Sequence, residues 1–272
     1  MPKVSVIIPT MKGRKALLEK LLSTIPSYCE TIIVDDEDIL LAAKRNKGAK
    51  KATGEYFLFI DDDNYLAPGA IAAAMTLAED DGVGVVGFMA CYDDKKNLIA
   101  DGGSYRNYTT GFTDGLMTNH RYSEIEKEPY EVDEVANAFL MHSELFFELQ
   151  GFDEENFPID LDEADFCKRA KEKGYKIMMC PKARCYHKSQ TYSPIPDFRR
   201  PRNAYFMGRN RIIYQRKFNH PLRFGVYLCF FMPVFVGFYS ASLIWRRKPL
   251  MIVHFLKGVF DGILGRRKNT YQ

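Results

Sequence analysis

The run Phe57-Leu58-Phe59-Ile60-Asp61-Asp62-Asp63-Asn64 sets an apolar, aromatic-rich stretch directly against three carboxylates. Such a stretch reads as a buried strand, and its abrupt end reads as the rim of a sheet. Open α/β sheets present their ligands at the carboxyl ends of their strands. Acids gathered there repel one another unless a proton or a cation relieves them. A hard divalent ion with oxygen ligands, Mn²⁺ or Mg²⁺, meets that need and can in turn hold phosphates. The plain alternative is a solvated acidic turn, for which Asn64 is suited.

Outward from this run, strand and helix alternate. Val4 to Pro9 is a β-branched stretch closed by proline, a first buried strand. Leu17, Leu18, Leu21 and Leu22 fall at helical spacing. Thr31 to Val34 is a second strand that also ends in acids, Asp35-Asp36-Glu37-Asp38. A helix from about Ile39 to Lys51 follows, then the Phe57 strand, an Ala-rich helix from Pro68 to Ala78, and a strand from Val83 to Met89. This order predicts a mostly parallel sheet flanked by helices. The two acid groups then lie on one rim, side by side if their strands are neighbours. A nucleotide laid across that rim meets one group at its base or ribose and the other through metal. Neither G-x-G-x-x-G nor a Walker lysine motif occurs, so phosphate binding has to rely on metal and basic side chains.

The stretch from Cys91 to Val132 is polar and rich in loops, suited to an acceptor- or sugar-facing region. A short helix from Glu144 to Leu149 ends at Gly151. Gly151-Phe152-Asp153-Glu154 then leads to Asp160-Leu161-Asp162-Glu163-Ala164-Asp165, which opens an amphipathic helix stopping at Gly174. Acids at a helix start suit its positive end, which is the plain structural reading of Asp162 and Glu163.

A chain of 272 residues has room for one large domain or a domain with an appendage. Hydrophobic residues at 46% and charged residues at 27% exclude a disordered chain. The net charge of +3 conceals an asymmetry: acids concentrate before Asp165, bases from Lys168 onward, which points to an anionic partner for the C-terminal part. The six cysteines are scattered and read as reduced thiols. Cys180, Cys185 and His187 raise a zinc question but lack a second ligand pair. Met1-Pro2-Lys3-Val4 has no signal-peptide layout.

Together the ordered pieces resemble inverting family-2 glycosyltransferases of the GT-A fold. The matching segments are Val4-Ser5-Val6-Ile7-Ile8-Pro9-Thr10, Ile32-Ile33-Val34-Asp35-Asp36, Arg45-Asn46-Lys47-Gly48-Ala49, Gly54 to Asp63, Gly151-Phe152-Asp153-Glu154, Asp162-Glu163, Cys185-Tyr186-His187 and Arg209-Asn210-Arg211. The resemblance implies a nucleotide-sugar donor and a divalent metal, Mn²⁺ or Mg²⁺. By position, Asp61 and Asp63 match the family's Asp-x-Asp, with Asp63 the direct ligand and His187 a further metal or phosphate contact. Asp35 or Asp36 is expected at the base or ribose, with Pro9 and Thr10 lining the same end. Arg45, Asp61 and Asp62 complete the donor-binding set. The family's catalytic base is an Asp of a Glu-Asp pair opening this helix; here the order is Asp162-Glu163, and Glu163 is the first candidate, Asp162 the second.

A catalytic domain over residues 1–200 is expected to precede a basic linker and a membrane-associated helical segment over 201–272. Leu222 to Trp245 holds one early arginine and otherwise no charge. It exceeds the roughly 20 residues that cross a bilayer. Arg223 precedes its apolar run and Arg246-Arg247-Lys248 follow it, so both flanks are positive and no orientation is specified. Leu250 to Leu264 is too short to span and reads as an interfacial helix with Lys257 and Asp261 on its polar face, beside Arg266-Arg267-Lys268. The acceptor is then a glycan or lipid-linked saccharide or a polyprenyl phosphate, and the catalytic domain cytoplasmic, where nucleotide sugars are available. A buried hairpin or dimer interface is the soluble alternative. Nucleic acid is not an expected partner, because the basic residues flank an apolar segment instead of an aromatic platform. A nucleotidyltransferase and a non-catalytic nucleotide-sugar-binding adaptor are the competing functions; Lys12-Gly13-Arg14-Lys15 is only a thin echo of the former's basic loop.

Overall fold

The computed structural model describes residues 4–188, 200–266 and 271. Met1-Pro2-Lys3 and the basic Arg267 and Lys268 lie outside the described residues. The chain divides into two compact units: Met1–Tyr105, Gly115–Phe152 and Glu163–Tyr192 form the first, and Arg106–Asp114, Asp153–Asp162 and Ser193–Gln272 the second.

In chain order the strands are β1 Val4–Pro9, β2 Glu30–Val34, β3 Tyr56–Ile60, β4 Asn64–Leu66, β5 Val83–Tyr92, β6 Ile99–Asp101, β7 Ser104–Arg106, β8 Thr113–Gly115, β9 Tyr130–Glu131, β10 Ala138–His142 and β11 Lys176–His187. The helices are α1 Lys15–Leu22, α2 Leu41–Ala49, α3 Ala70–Ala78, α4 Ser143–Glu148, α5 Asp162–Glu172, α6 Pro201–Phe218, α7 Pro221–Val226, α8 Met232–Trp245 and α9 Pro249–Ile263.

Among the described residues the main sheet of the first unit runs β2-β1-β3-β10-β5-β11-β4, with β6 on β5 and β9 on β11. β1 is parallel to β2 and β3, and β5 to β11. β10 lies antiparallel between β3 and β5. The sheet is therefore mixed and mostly parallel. Because β1 sits between β2 and β3, the two acid-bearing ends are not neighbours. They stand two strand spacings apart, roughly 10 Å, with Pro9 and Thr10 between them.

Alternation along β3 divides the core. Leu58 and Ile60 join Val6, Phe88 and Leu140 beneath α1 and α3, while Phe57 and Phe59 join Phe139, Phe146 and Phe166 beneath α2, α4 and α5. Phe59 stacks on Phe139 at 5.5 Å and meets the edge of Phe152 at 5.1 Å. The apolar content of β3 thus anchors the acids that follow it.

In the second unit α6 and α9 approach backbone to backbone. A Cβ on Gly208 would lie 2.5 Å from the Phe255 carbonyl oxygen, and one on Gly258 would lie 2.0 Å from that of Tyr205. Gly258 and Gly262 form a G-x-x-x-G face, which permits such contact. α7 and α8 join through a π-helical turn over Tyr227–Phe231. Pro233 cannot donate to the turn before it, and the widened turn accommodates that loss. The resulting helix, Pro221–Trp245, is 25 residues long and apolar enough to cross a membrane. One expectation is corrected here. Asp261 does not share an exposed polar face with Lys257; it is buried against the Tyr205 hydroxyl at 2.9 Å and Arg266 at 3.0 Å, while Val253, Leu256 and Phe260 face outward.

Candidate active site

The three acids after β3 are held by Arg45 on one side and by Arg14, Thr10 and His187 on the other. The Asp61 backbone N–H donates to the Asn137 carbonyl at 3.0 Å, and its carboxylate pairs with Arg45 Nη2 at 2.9 Å. Burial, with Glu163 and Asp63 nearby, pushes the Asp61 carboxyl up to about 6 despite Arg45. Asp62 is buried, accepting from the Thr10 hydroxyl at 2.5 Å and from Arg14. Asp63 stays partly open, with Arg14 Nη2 at 3.3 Å and His187 Nε2 at 3.6 Å.

Register explains how His187 arrives. β11 pairs with β4 so that His187 stands opposite Asn64, and the Lys188 N–H donates to the Asp63 carbonyl at 2.9 Å. Burial opposes charge on both members of the Asp63–His187 pair. Their mutual attraction, aided at the carboxyl by Arg14 and at the imidazole by Asp61 and Asp101, still leaves the carboxyl below and the imidazole above its ordinary value.

The segment Arg45-Asn46-Lys47-Gly48 does four separate jobs. Arg45, with its side chain only 1% exposed, places Nη2 2.9 Å from Asp61 and 2.7 Å from Glu163. Asn46 both donates to the Phe152 carbonyl and accepts from its N–H, each at 2.9 Å, fixing Gly151-Phe152 to α2. Lys47 pairs with Asp36 at 2.5 Å, which holds that carboxyl below its usual value. Gly48 lets α2 close on β1: a Cβ there would lie 2.5 Å from Ile7 Cγ2. Arg169 meanwhile donates to the Leu149 and Gly151 carbonyls at 2.6 and 2.8 Å and pairs with Asp165 at 2.7 Å, so α5 is tied to the end of α4.

The two base candidates differ in exposure. Glu163 reaches Arg45 with 16% of its side chain accessible, whereas Asp162 is fully buried. Asp160 and Leu161, just before them, both adopt left-handed backbone with φ of 67°. That conformation is rare for leucine. It turns the chain sharply into α5.

Arg14, Asp101 and Asn137 belong to this neighbourhood and are not singled out as site residues by sequence reasoning. Asp101 ends β6, accepts from the Gly103 N–H at 2.9 Å and the Asn137 amide at 3.0 Å, and feels the charges of His187 and Glu163. Burial raises its carboxyl above the ordinary value. Asn137 is left-handed at φ 65°, a conformation asparagine tolerates. It grips Asp61 by its carbonyl and Asp101 by its amide. The Asp-Gly-Gly sequence at 101–103 is the available cue.

At the opposite end of the rim, the Thr10 N–H donates to the Val34 carbonyl at 2.9 Å, joining β1 to β2. The Thr10 carbonyl accepts from Lys44 at 2.6 Å. Pro9 is buried, Asp35 is exposed, and Asp36 is committed to Lys47.

The three side chains expected at a cation do not form a ready cluster. Among the described residues no group of three His, Cys, Asp or Glu side chains is poised to hold a metal, and Asp61 is taken by Arg45. Asp63 and His187 alone supply an oxygen and a nitrogen donor. That set fits a divalent ion whose remaining positions are filled by diphosphate oxygens and water. The zinc alternative gains no support: Cys180 and Cys185 are buried in the core beneath α3, and among the described residues they form no three-ligand group with His187.

A family model described as glycosyltransferase-like family 2 matches residues 2–205. Solved structures share the fold. The mannosyltransferase PcManGT of Pyrobaculum calidifontis, in complex with GDP-Man and Mn²⁺, is 13% identical with a TM-score of 0.56, covering 97% of this chain and 88% of that one. S. aureus TarS in complex with UDP-GlcNAc is 14% identical, TM-score 0.56, covering 96% and 80%. GalNAc-T7 with UDP, GalNAc and Mn²⁺ is 16% identical, TM-score 0.57, covering 92% and 58%. The uncharacterized protein y4gI of Sinorhizobium fredii is 23% identical over 230 residues, 68% of this chain, and the match spans 24% of that relative's length. The mixed sheet with its flanking helices is thus the GT-A fold, and the chain belongs to glycosyltransferase family 2.

Proposed function

We propose that this chain transfers a sugar from a nucleotide-sugar donor to a hydroxyl or phosphate acceptor, with inversion at the anomeric carbon. The observation that carries the reading is the single guanidinium of Arg45, which joins the candidate base Glu163 to the acids ending β3. That bridge supports reading the base and the diphosphate side as one site.

Glu163 accepts the acceptor's proton as the acceptor oxygen bonds to the anomeric carbon, and the bond to the donor diphosphate breaks on the opposite face. Arg45 fixes the direction of that carboxylate. Asp63 and His187 would hold a divalent ion, which supplies neutralising charge to the departing diphosphate. Arg14 restrains Asp63 by pairing with it and with Asp62 together. Asp35 or Asp36 would contact the base or ribose, with Pro9 and Thr10 lining the same end.

The acceptor we favour is a lipid-linked saccharide or polyprenyl phosphate at a membrane surface, with catalysis on the cytoplasmic side. The apolar helix Pro221–Trp245 and its basic flanks support the membrane surface; the cytoplasmic side rests on where nucleotide sugars are available.

The test is donor hydrolysis by detergent-purified protein across a nucleotide-sugar panel, with Mn²⁺, Mg²⁺ or EDTA. Metal-dependent release of one nucleoside diphosphate, lost in Asp63→Ala, is expected. The absence of both release and metal-dependent nucleotide binding across the panel would overturn the assignment.

A further inference from the structure

We propose that the helix Pro221–Trp245 does not cross the bilayer but lies along an anionic membrane surface, immersed by one face. The inference rests on the membrane part of the function proposed above; sugar transfer itself does not depend on it.

The helix is apolar on two sides for two different reasons. Its inner side, with Tyr227, Met232, Phe235, Tyr239 and Leu243, is buried against Ala204 and Ile212 of α6 and Phe255 and Val259 of α9. Its outer side repeats every fourth residue: Leu222, Val226, Phe230, Val234 and Phe238 are all exposed, Phe230 by 69% and Val234 by 61%. Five large apolar residues in one exposed stripe exceed the scattered apolar exposure of an ordinary surface.

The inner packing argues against a crossing. A spanning helix would carry α6 into hydrocarbon along its side, and α6 bears Arg202, Arg209, Arg211, Arg216 and Lys217. Charges at bilayer depth are costly. An in-plane helix leaves α6 on the water side.

Charge selects the occupant. From Pro221 to Leu264 the one acid is Asp261, which is buried, whereas Arg223, Arg246, Arg247, Lys248 and Lys257 are all basic. A second copy packed on this stripe would bring one basic stretch against another, with Asp261 the one acid of either stretch and that one buried. An anionic headgroup layer attracts them, by about 1 kcal/mol for each residue near the surface. The protein's single tryptophan, Trp245, is 78% exposed beside Arg246-Arg247-Lys248, where an amphipathic ring sits well at headgroup level.

The experiment uses the full-length chain with phosphatidylcholine vesicles, with and without phosphatidylglycerol, and no donor or acceptor. Depth is read by quenching with lipids brominated at different carbons. Trp245 is measured in the native chain, and Phe230→Trp and Val234→Trp in a Trp245→Phe background. Binding that needs phosphatidylglycerol is expected, weakening about fivefold for each of Arg246, Arg247 and Lys248 changed to glutamine. All three reporters should share one shallow depth, roughly 5–10 Å into the boundary region. Quenching that is deepest at position 234, near the bilayer centre, would mean a crossing helix and overturn the proposal. So would a water-soluble dimer that ignores vesicles, or vesicle binding unchanged by Val234→Glu. Failure of the vesicle assay with intact donor hydrolysis would remove the membrane reading and leave transfer standing.

Discussion

The guanidinium of Arg45 holds the carboxylate of Glu163 at 2.7 Å, across the sheet end that carries Asp61. One buried cation thus serves two acids from distant parts of the chain. Removing it leaves both carboxylates enclosed with no shared countercharge. Arg45→Ala is expected to cost about 3–5 kcal/mol in urea unfolding. Arg45→Lys keeps the charge but loses the planar guanidinium whose Nη2 meets both carboxylates. It should fold and still bind nucleotide, with turnover down at least about tenfold, roughly 1.4 kcal/mol of transition-state stabilisation. Wild-type turnover in Arg45→Lys would show that the geometry of this bridge is unimportant.

Glu163 and Asp162 are separable by exposure. Glu163→Gln preserves size and hydrogen bonding while removing the proton acceptor. Turnover is expected to fall roughly 10²–10⁴-fold, with metal-dependent nucleotide binding retained. Asp162→Asn changes a fully buried side chain, so its effect should appear as a lowered melting temperature with turnover within a few-fold. The reverse pattern would assign the base to Asp162.

What is legible in the sequence depends on separation along the chain. The β3 acids are readable because strand and carboxylates are contiguous, and their placement at a sheet rim follows from that alone. His187 needs the β11–β4 register, which no local pattern encodes. Arg45 stands within a recognisable segment, but its bridge to Glu163 is a tertiary fact. β10 and β11 escape a sequence reading because they follow the loop-rich stretch, where alternation stops marking elements. Asp101 and Asn137 come from that same region, where one acid among many carries no period. Asp261 departs from expectation for a different reason. Periodicity assumes that polar residues face water, and here a polar residue faces inward to Tyr205 while apolar ones face out.

The α6–α9 contact gives a paired test of stability. A Cβ on Gly258 would lie 2.0 Å from the Tyr205 carbonyl oxygen, a backbone atom that cannot swing aside. Gly258→Ala should therefore force the helices apart and cost about 1–3 kcal/mol or more. Gly237, on the outer side of α8, is open: a Cβ added there would meet nothing within 4 Å. Gly237→Ala should instead stabilise by about 0.5–1 kcal/mol through helix propensity. Opposite shifts in thermal unfolding are the signature; a neutral Gly258→Ala would contradict close packing.

Acid stability should report on Asp153. Lys217 Nζ lies 2.8 Å from its Oδ2, and Asn156 donates to both oxygens at 3.1 and 2.8 Å. Burial works to raise this carboxyl, but Lys217 and Asn156 outweigh it and hold it below the ordinary value. A carboxyl depressed by folding contributes stability above its unfolded value, about 3.9, and loses it as pH falls through the folded one. Asp153→Asn should therefore be less stable than the native chain at pH 7, by about 1 kcal/mol given the partly exposed pair. That gap should hold down to roughly pH 4 and close below it. Melting temperatures of the two proteins from pH 7 to strongly acidic buffer decide the matter. A gap that persists undiminished in acid would mean that the Asp153 charge does not stabilise the loop it anchors to α6.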